Sequence, residues 1–191
     1  WNWWPFLAGP AAMIFVYIAK ASGWDYLCTR SFHEPFAPLI VFIPAVIFAA
    51  AAKKSNCSLH KILCLLCLVF ACREIHFRGT STGIYIALAV IGVWFVKQFE
   101  QFKAVFDKYR IWILATAWTY LLSQLIARRF FRTFHLPLEE EYHIFLEETV
   151  ETAAHIMMIA LSIILWPRKS EQSCTKPQDK GIEPIEPNPS V

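Results

Sequence analysis

The stretch "PFAPLIVFIPAVIFAAAA", residues 35–52, contains no charged side chain and no polar one. In a helix its 18 residues rise about 27 Å, close to the roughly 30 Å of hydrocarbon in a bilayer. Two of its three prolines, Pro38 and Pro44, lie inside the stretch, and such prolines are tolerated in membrane helices because neighbouring helices re-satisfy the backbone groups that they free. This stretch therefore predicts a membrane-spanning helix.

Apolar runs of this kind recur along the 191-residue chain, separated by short basic or Pro/Gly-containing breaks. The chain is 57% hydrophobic and only 17% charged, against roughly 25% charged in soluble proteins. A soluble fold of this size has too little interior for so much apolar surface. We therefore predict an all-α, polytopic membrane helix bundle. Its six expected spans are about 5–21, 35–52, 58–77, 82–97, 109–128 and 144–166.

The ends of the chain and the basic residues predict its orientation. Residues 167–191 are Pro-rich, polar and without periodicity, which is typical of a disordered tail. Nine Lys and Arg residues lie on the same side as this tail and seven on the other, so the positive-inside rule places the tail in the cytoplasm. We expect a multi-pass protein of the cell inner (plasma) membrane, with the bilayer as partner. Because the basic residues sit in short loops, the net charge of +3 does not indicate nucleic-acid binding.

Unusual ionisable residues gather on the non-cytoplasmic side. They include "CREIHFRG", residues 72–79, at the end of the third span, and "FLEETVETAAH", residues 145–155, at the start of the sixth. In the second stretch Glu147, Glu151 and His155 stand four residues apart. Four residues turn a helix by about 400°, so these groups share one face.

Depth separates these residues. If Trp166 marks the cytoplasmic interface, Glu147 lies at the outer interface, Glu151 lies roughly 7 Å deep, and His155 lies near the middle of the bilayer. A charged group at the bilayer centre costs about 3 kcal/mol on insertion scales. We therefore expect Glu151 and His155 to face the bundle interior.

The third span offers partners at a matching depth, which predicts an outward-facing pocket between spans three and six. Its expected lining residues are Arg73, Glu74, His76, Glu147, Glu151 and His155. One hypothesis is proton- or cation-coupled transport or sensing, because intramembrane Glu and His are typical relay residues. A second is a metal-dependent hydrolase of lipid-like substrates. In that hypothesis Zn or Fe is bound by Glu74, His76, Glu151 and His155.

A third hypothesis is a non-catalytic packing or assembly subunit, in which Arg73 pairs with Glu151 or Glu147. The sequence leaves open whether the protein is an enzyme, which small molecule or ion it binds, and whether copies of it associate.

The stretches "CREIHFRGTSTGIY", residues 72–85, and "FLEETVE", residues 145–151, resemble small multi-pass bacterial inner-membrane proteins of unknown function. In that group an Arg-Glu pair ends one span and a Glu-Glu pair opens the last. The resemblance covers roughly residues 57–166 and implies no activity. The chain also resembles the alkaline-ceramidase-like membrane hydrolases in placing His and acidic residues within helices. It departs from them in its six expected spans, in lacking their HxxxH pair near the end of the chain, and in having no Asp inside a span.

Overall fold

The computed structural model describes residues 3–33, 35–75, 80–130 and 139–167. Within these ranges every regular element is helical. Short 3-10 turns at Trp4–Leu7 and Asp25–Cys28 precede the first and second α-helices. The α-helices are α1 (Ala8–Ala21), α2 (Arg30–His33), α3 (Ala37–Ser55), α4 (Ser58–Glu74), α5 (Thr80–Ala127) and α6 (Glu139–Ile164). The predicted tail lies outside the described residues, apart from Pro167.

A tight turn joins α3 to α4. Asn56 ends α3 in the left-handed region, with φ of 50°, a conformation that Asn adopts more readily than most residues. In α4 the imidazole of His60 lies 2.8 Å from Ser55 Oγ through Nδ1, and 2.9 Å from the carbonyl oxygen of Leu165 through Nε2. This buried imidazole therefore ties α3, α4 and the end of α6 together.

Helix α5 folds back on itself. The predicted spans leave a gap at 98–108, but the structure has one continuous helix of 48 residues there, which would be about 72 Å long if straight. Arg128 Nη2 nevertheless donates a hydrogen bond of 3.0 Å to Tyr85 Oη, although 43 residues of straight helix would separate these residues by about 64 Å. The ring centroids of Phe95 and Phe106 are 6.1 Å apart, which places the bend between them. We call the two halves the first arm and the second arm of α5.

Contacts between the helices define two ends of the bundle. At one, the tail end, Ser58 Oγ donates to Gln101 Oε1 at 3.2 Å, and His60 meets Leu165. At the other, the far end, Tyr85 meets Arg128.

The start of α1 lies near the start of the second arm, where Trp4 contacts Trp112, and its end lies near the start of α6, where Lys20 lies over Phe145. Six described segments therefore alternate in direction between these ends, namely α1, α3, α4, the two arms of α5 and α6.

Three helical stretches among the described residues are long and apolar enough to cross a membrane: Trp4–Ala21, Ala37–Ser55 and Thr82–Ala127. Large apolar side chains on α3 and α5 point outward. Leu39 is 59% exposed and Val96 is 74% exposed. An outward apolar surface of this kind suits a lipid environment. The fold is therefore all-α, with helices of membrane-spanning character.

Candidate functional site

Ionisable side chains from α4 and α6 converge inside the bundle. Glu74 from α4, and Glu151 and His155 from α6, each place one oxygen or nitrogen within 4.8 Å of the others. The backbones of α4 and α6 hardly approach each other, so long polar side chains bridge the space between them. Of the six residues expected to line a pocket between spans three and six, the structure brings together Arg73, Glu74, Glu151 and His155.

Arg73 holds Glu151 through both carboxylate oxygens. Its Nη1 donates to Oε1, and its Nη2 donates to Oε2 at 3.2 Å. The planar guanidinium matches a carboxylate in this two-point arrangement, which is stronger and more directional than a single ion pair. Glu151 is only 7% exposed, and Arg73 supplies the opposite charge that a buried carboxylate needs.

His155 is the most deeply buried group of the site, at 1% exposure. Its Nδ1 lies 2.8 Å from Tyr120 Oη, on the second arm of α5. Its Nε2 faces Glu74 Oε1 at 3.9 Å and forms no hydrogen bond with any described residue. If Nδ1–H donates to Tyr120, the Nε2 lone pair points at the two carboxylates.

The ring of Tyr120 is itself held in place by packing. Phe70 of α4 stacks on it, with ring centroids 4.5 Å apart and planes inclined by 25°. Because α4 therefore fixes both the carboxylate of Glu74 and the phenol that contacts His155, the geometry around the imidazole depends on how α4 sits against α5.

The short helix α2 covers the far-end side of the site. His33 Nδ1 and Thr152 Oγ1 share a hydrogen bond of 2.9 Å, and Thr152 directly follows Glu151 in α6. Burial lowers the pKa of His33 below its usual value of 6.5, because removing a charged imidazole from water is unfavourable. His33 is therefore neutral at pH 7.

The other two predicted lining residues are His76 and Glu147. His76 lies outside the described residues, so its part in the pocket and in a metal site stays a prediction. Glu147 is one helical turn closer to the far end and is partly exposed. It attracts Arg73 electrostatically and belongs to the rim of the cluster.

Sequence reasoning missed Tyr120 as a member of this site. Tyr120 follows several apolar and aromatic residues in span five, where an aromatic side chain usually packs against lipid or a neighbouring helix. Its contact with His155 depends on the rotation of the second arm about its own axis. No local pattern carries that information.

None of the protein-family models, curated proteins or solved structures compared with this chain matches it. The resemblance to small bacterial inner-membrane proteins therefore stays a prediction. What the site does has to be argued from its own chemistry.

Proposed function

We propose that this chain is a six-span integral protein of the inner membrane that binds a cation in the pocket between α4 and α6, for cation-coupled transport or sensing. The observation that carries the proposal is the convergence of Glu74, Glu151 and His155 within 4.8 Å. Two carboxylates and an imidazole are cation ligands by chemistry. Ionisable groups placed inside helix bundles of membrane proteins mark ion and proton pathways.

The six spans are α1, α3, α4, the two arms of α5, and α6. Their support is the alternating direction of these segments together with the apolar character of α1, α3 and α5. The orientation, with the tail end in the cytoplasm, rests on the larger number of Lys and Arg residues on that side. The pocket then opens toward the far end, on the opposite side of the membrane.

Transport or sensing would use the contrast between the two faces of the site. On one side Arg73 compensates Glu151, and on the other the Nε2 of His155 faces Glu74. A cation that enters from the far end would meet Glu147 first and the buried donors one to two turns deeper. Such a graded path suits reversible binding of an ion better than a sealed structural site.

The test is ion flux and cation-dependent stability of the purified protein in liposomes, with H⁺, Na⁺, Mg²⁺ and Zn²⁺ as probes. We expect at least one cation to be transported or to raise the melting temperature, and Glu151→Gln to abolish that response. Glu100→Gln is the matched control, because the Glu100 side chain is 83% exposed at the tail end. The proposal fails if no cation changes flux or stability, or if Glu151→Gln responds as the wild type does.

The bidentate Arg73–Glu151 pair also favours a second candidate, a packing subunit in which the pair only joins α4 to α6. Replacing both residues together by Met separates the two functions. If the pair only packs the helices, the double variant is stable and its other properties, including any cation response, are unchanged. A cation site predicts a protein that keeps its fold and loses its cation response.

A further inference from the structure

We propose that the cation of this site is a divalent transition metal of the zinc class, bound by one carboxylate oxygen each of Glu74 and Glu151 and by Nε2 of His155. This inference rests on the proposed function and names its ligand. The argument starts from donor chemistry. Zn²⁺, Fe²⁺ and Mn²⁺ combine imidazole with carboxylate ligands, whereas Mg²⁺ and Ca²⁺ select oxygen donors.

The geometry is close to that of a bound ion. Bonds of about 2.0–2.1 Å to nitrogen and oxygen place the ligand atoms of a tetrahedral zinc site about 3.4 Å apart. In the structure His155 Nε2 and Glu74 Oε1 are 3.9 Å apart, and all three donors lie within 4.8 Å. Rotating the two glutamate side chains so that their oxygens move by up to about 1 Å would bring the three donors to the distances of a zinc site. Three protein ligands leave a fourth position for water or a transported group.

An independent observation points to a ligand at this place. His155 is 1% exposed, and its Nε2 forms no hydrogen bond with any described residue. Leaving a buried nitrogen without a hydrogen-bond partner is unfavourable, so such atoms in native proteins usually have a partner, which can be water or an ion. A metal ion among the two carboxylates supplies that partner.

Tyr120 is the positioning residue for the imidazole. Its oxygen lies 2.8 Å from Nδ1, and when it accepts from Nδ1–H the Nε2 lone pair is available to a metal. Residues that hold a ligating histidine in this way typically contribute 10- to 100-fold to metal affinity. Tyr120 also stacks on Phe70, which keeps the phenol oxygen at the imidazole.

The positive charge of Arg73 predicts the direction in which its substitution changes the affinity for zinc. A carboxylate has two oxygens, so Glu151 can keep one hydrogen bond to Arg73 while its other oxygen binds the metal. The guanidinium nevertheless repels a cation close by. Removing its charge with Arg73→Gln is therefore expected to tighten zinc binding, whereas a site that does not bind metal has no such response.

The experiment is zinc titration of the full chain in detergent after chelator treatment, by calorimetry and by metal analysis. We expect one zinc per chain, no binding of Mg²⁺, at least 100-fold weaker binding in His155→Ala and Glu74→Gln, and 10- to 100-fold weaker binding in Tyr120→Phe. His143→Ala is the matched control, because His143 lies on α6 three turns away and partly exposed, and it should bind zinc as the wild type does.

Each other outcome overturns the inference. Zinc binding that survives His155→Ala and Glu74→Gln belongs to another site, such as the cysteines. If zinc does not bind while H⁺ or Na⁺ still changes flux or stability in a Glu151-dependent way, the metal is wrong and the cation site stands. If no cation acts, both proposals fail. Tyr120→Phe removes one oxygen only, so it keeps the test decisive if a ligand variant does not fold.

Discussion

Arg73 contacts both carboxylate oxygens of Glu151 inside the helix bundle, which supplies the opposite charge that a buried carboxylate needs. Counting back from Trp166 predicts that Glu151 lies inside the hydrocarbon of a membrane. The sequence offers both Glu147 and Glu151 as partners of Arg73. In the structure the guanidinium of Arg73 reaches across from α4 to α6 and contacts Glu151.

Removing one member of the pair leaves a charge that the fold cannot compensate. We expect Arg73→Met to destabilise the protein by about 3 kcal/mol, while the Arg73→Met/Glu151→Met double variant recovers most of that loss. Reversible unfolding in mixed detergent measures all three proteins. If Arg73→Met is as stable as the wild type, the pair contributes nothing to the free energy of unfolding.

His33 gives the stability a pH dependence of defined sign. Its pKa in the folded protein lies below 6.5, so the unfolded chain takes up the proton more readily. The stabilising contribution of neutral His33 is complete above about pH 6.5 and falls as the pH drops toward the lowered pKa. Melting temperatures between pH 8 and pH 5 should therefore fall less steeply for His33→Gln than for the wild type. Parallel curves for the two proteins would contradict this assignment.

The bend in α5 is the main finding at the scale of the elements. The sequence predicts where the apolar pattern stops, after Val96, because charged and amide side chains begin at Lys97. The predicted spans end at this polar stretch, but residues 97–108 contain no Pro or Gly to end a helix, and the helix continues through them. Phe95, Phe99, Phe102 and Phe106 pack together on the inside of the bend, and Phe102 is 1% exposed.

A distance across α5 tests the bend directly. In a variant with no other cysteines, spin labels at Tyr85→Cys and Arg128→Cys should give a separation of about 20 Å or less, because the native side chains are in hydrogen-bond contact. Double electron–electron resonance spectroscopy distinguishes this distance from that in a straight helix, which would place the labels about 64 Å apart. Labels at Tyr85→Cys and Gln98→Cys, within the first arm, calibrate the measurement at about 20 Å.

At the scale of the whole molecule, hydropathy and charge predict class and orientation, and tertiary contacts decide the neighbours. The class follows because apolar runs near 20 residues have the length and composition of helices that cross a bilayer. The order of the helices around the bundle cannot be predicted in this way, because it depends on interactions between residues far apart in the chain, such as His60 with Leu165 and Arg73 with Glu151.

Orientation can be tested on intact cells with a membrane-impermeant thiol reagent. A cysteine at Tyr26, in the far-end turn, should be labelled from outside, because this side chain is 60% exposed and the proposed topology places the far end away from the cytoplasm. A cysteine at Asn56, in the tail-end turn between α3 and α4, should react only after the cells are opened. The reverse pattern would invert the proposed topology and place the pocket on the cytoplasmic side.

The central claim, that α4 and α6 together hold a metal ion, is tested most directly by X-ray absorption at the zinc edge on the zinc-loaded protein. We predict a first shell of nitrogen and oxygen only, at about 2.0–2.1 Å, with the outer-shell scattering of a single imidazole that disappears in His155→Ala. A sulfur shell at about 2.3 Å, or an imidazole signal that persists in His155→Ala, would contradict it.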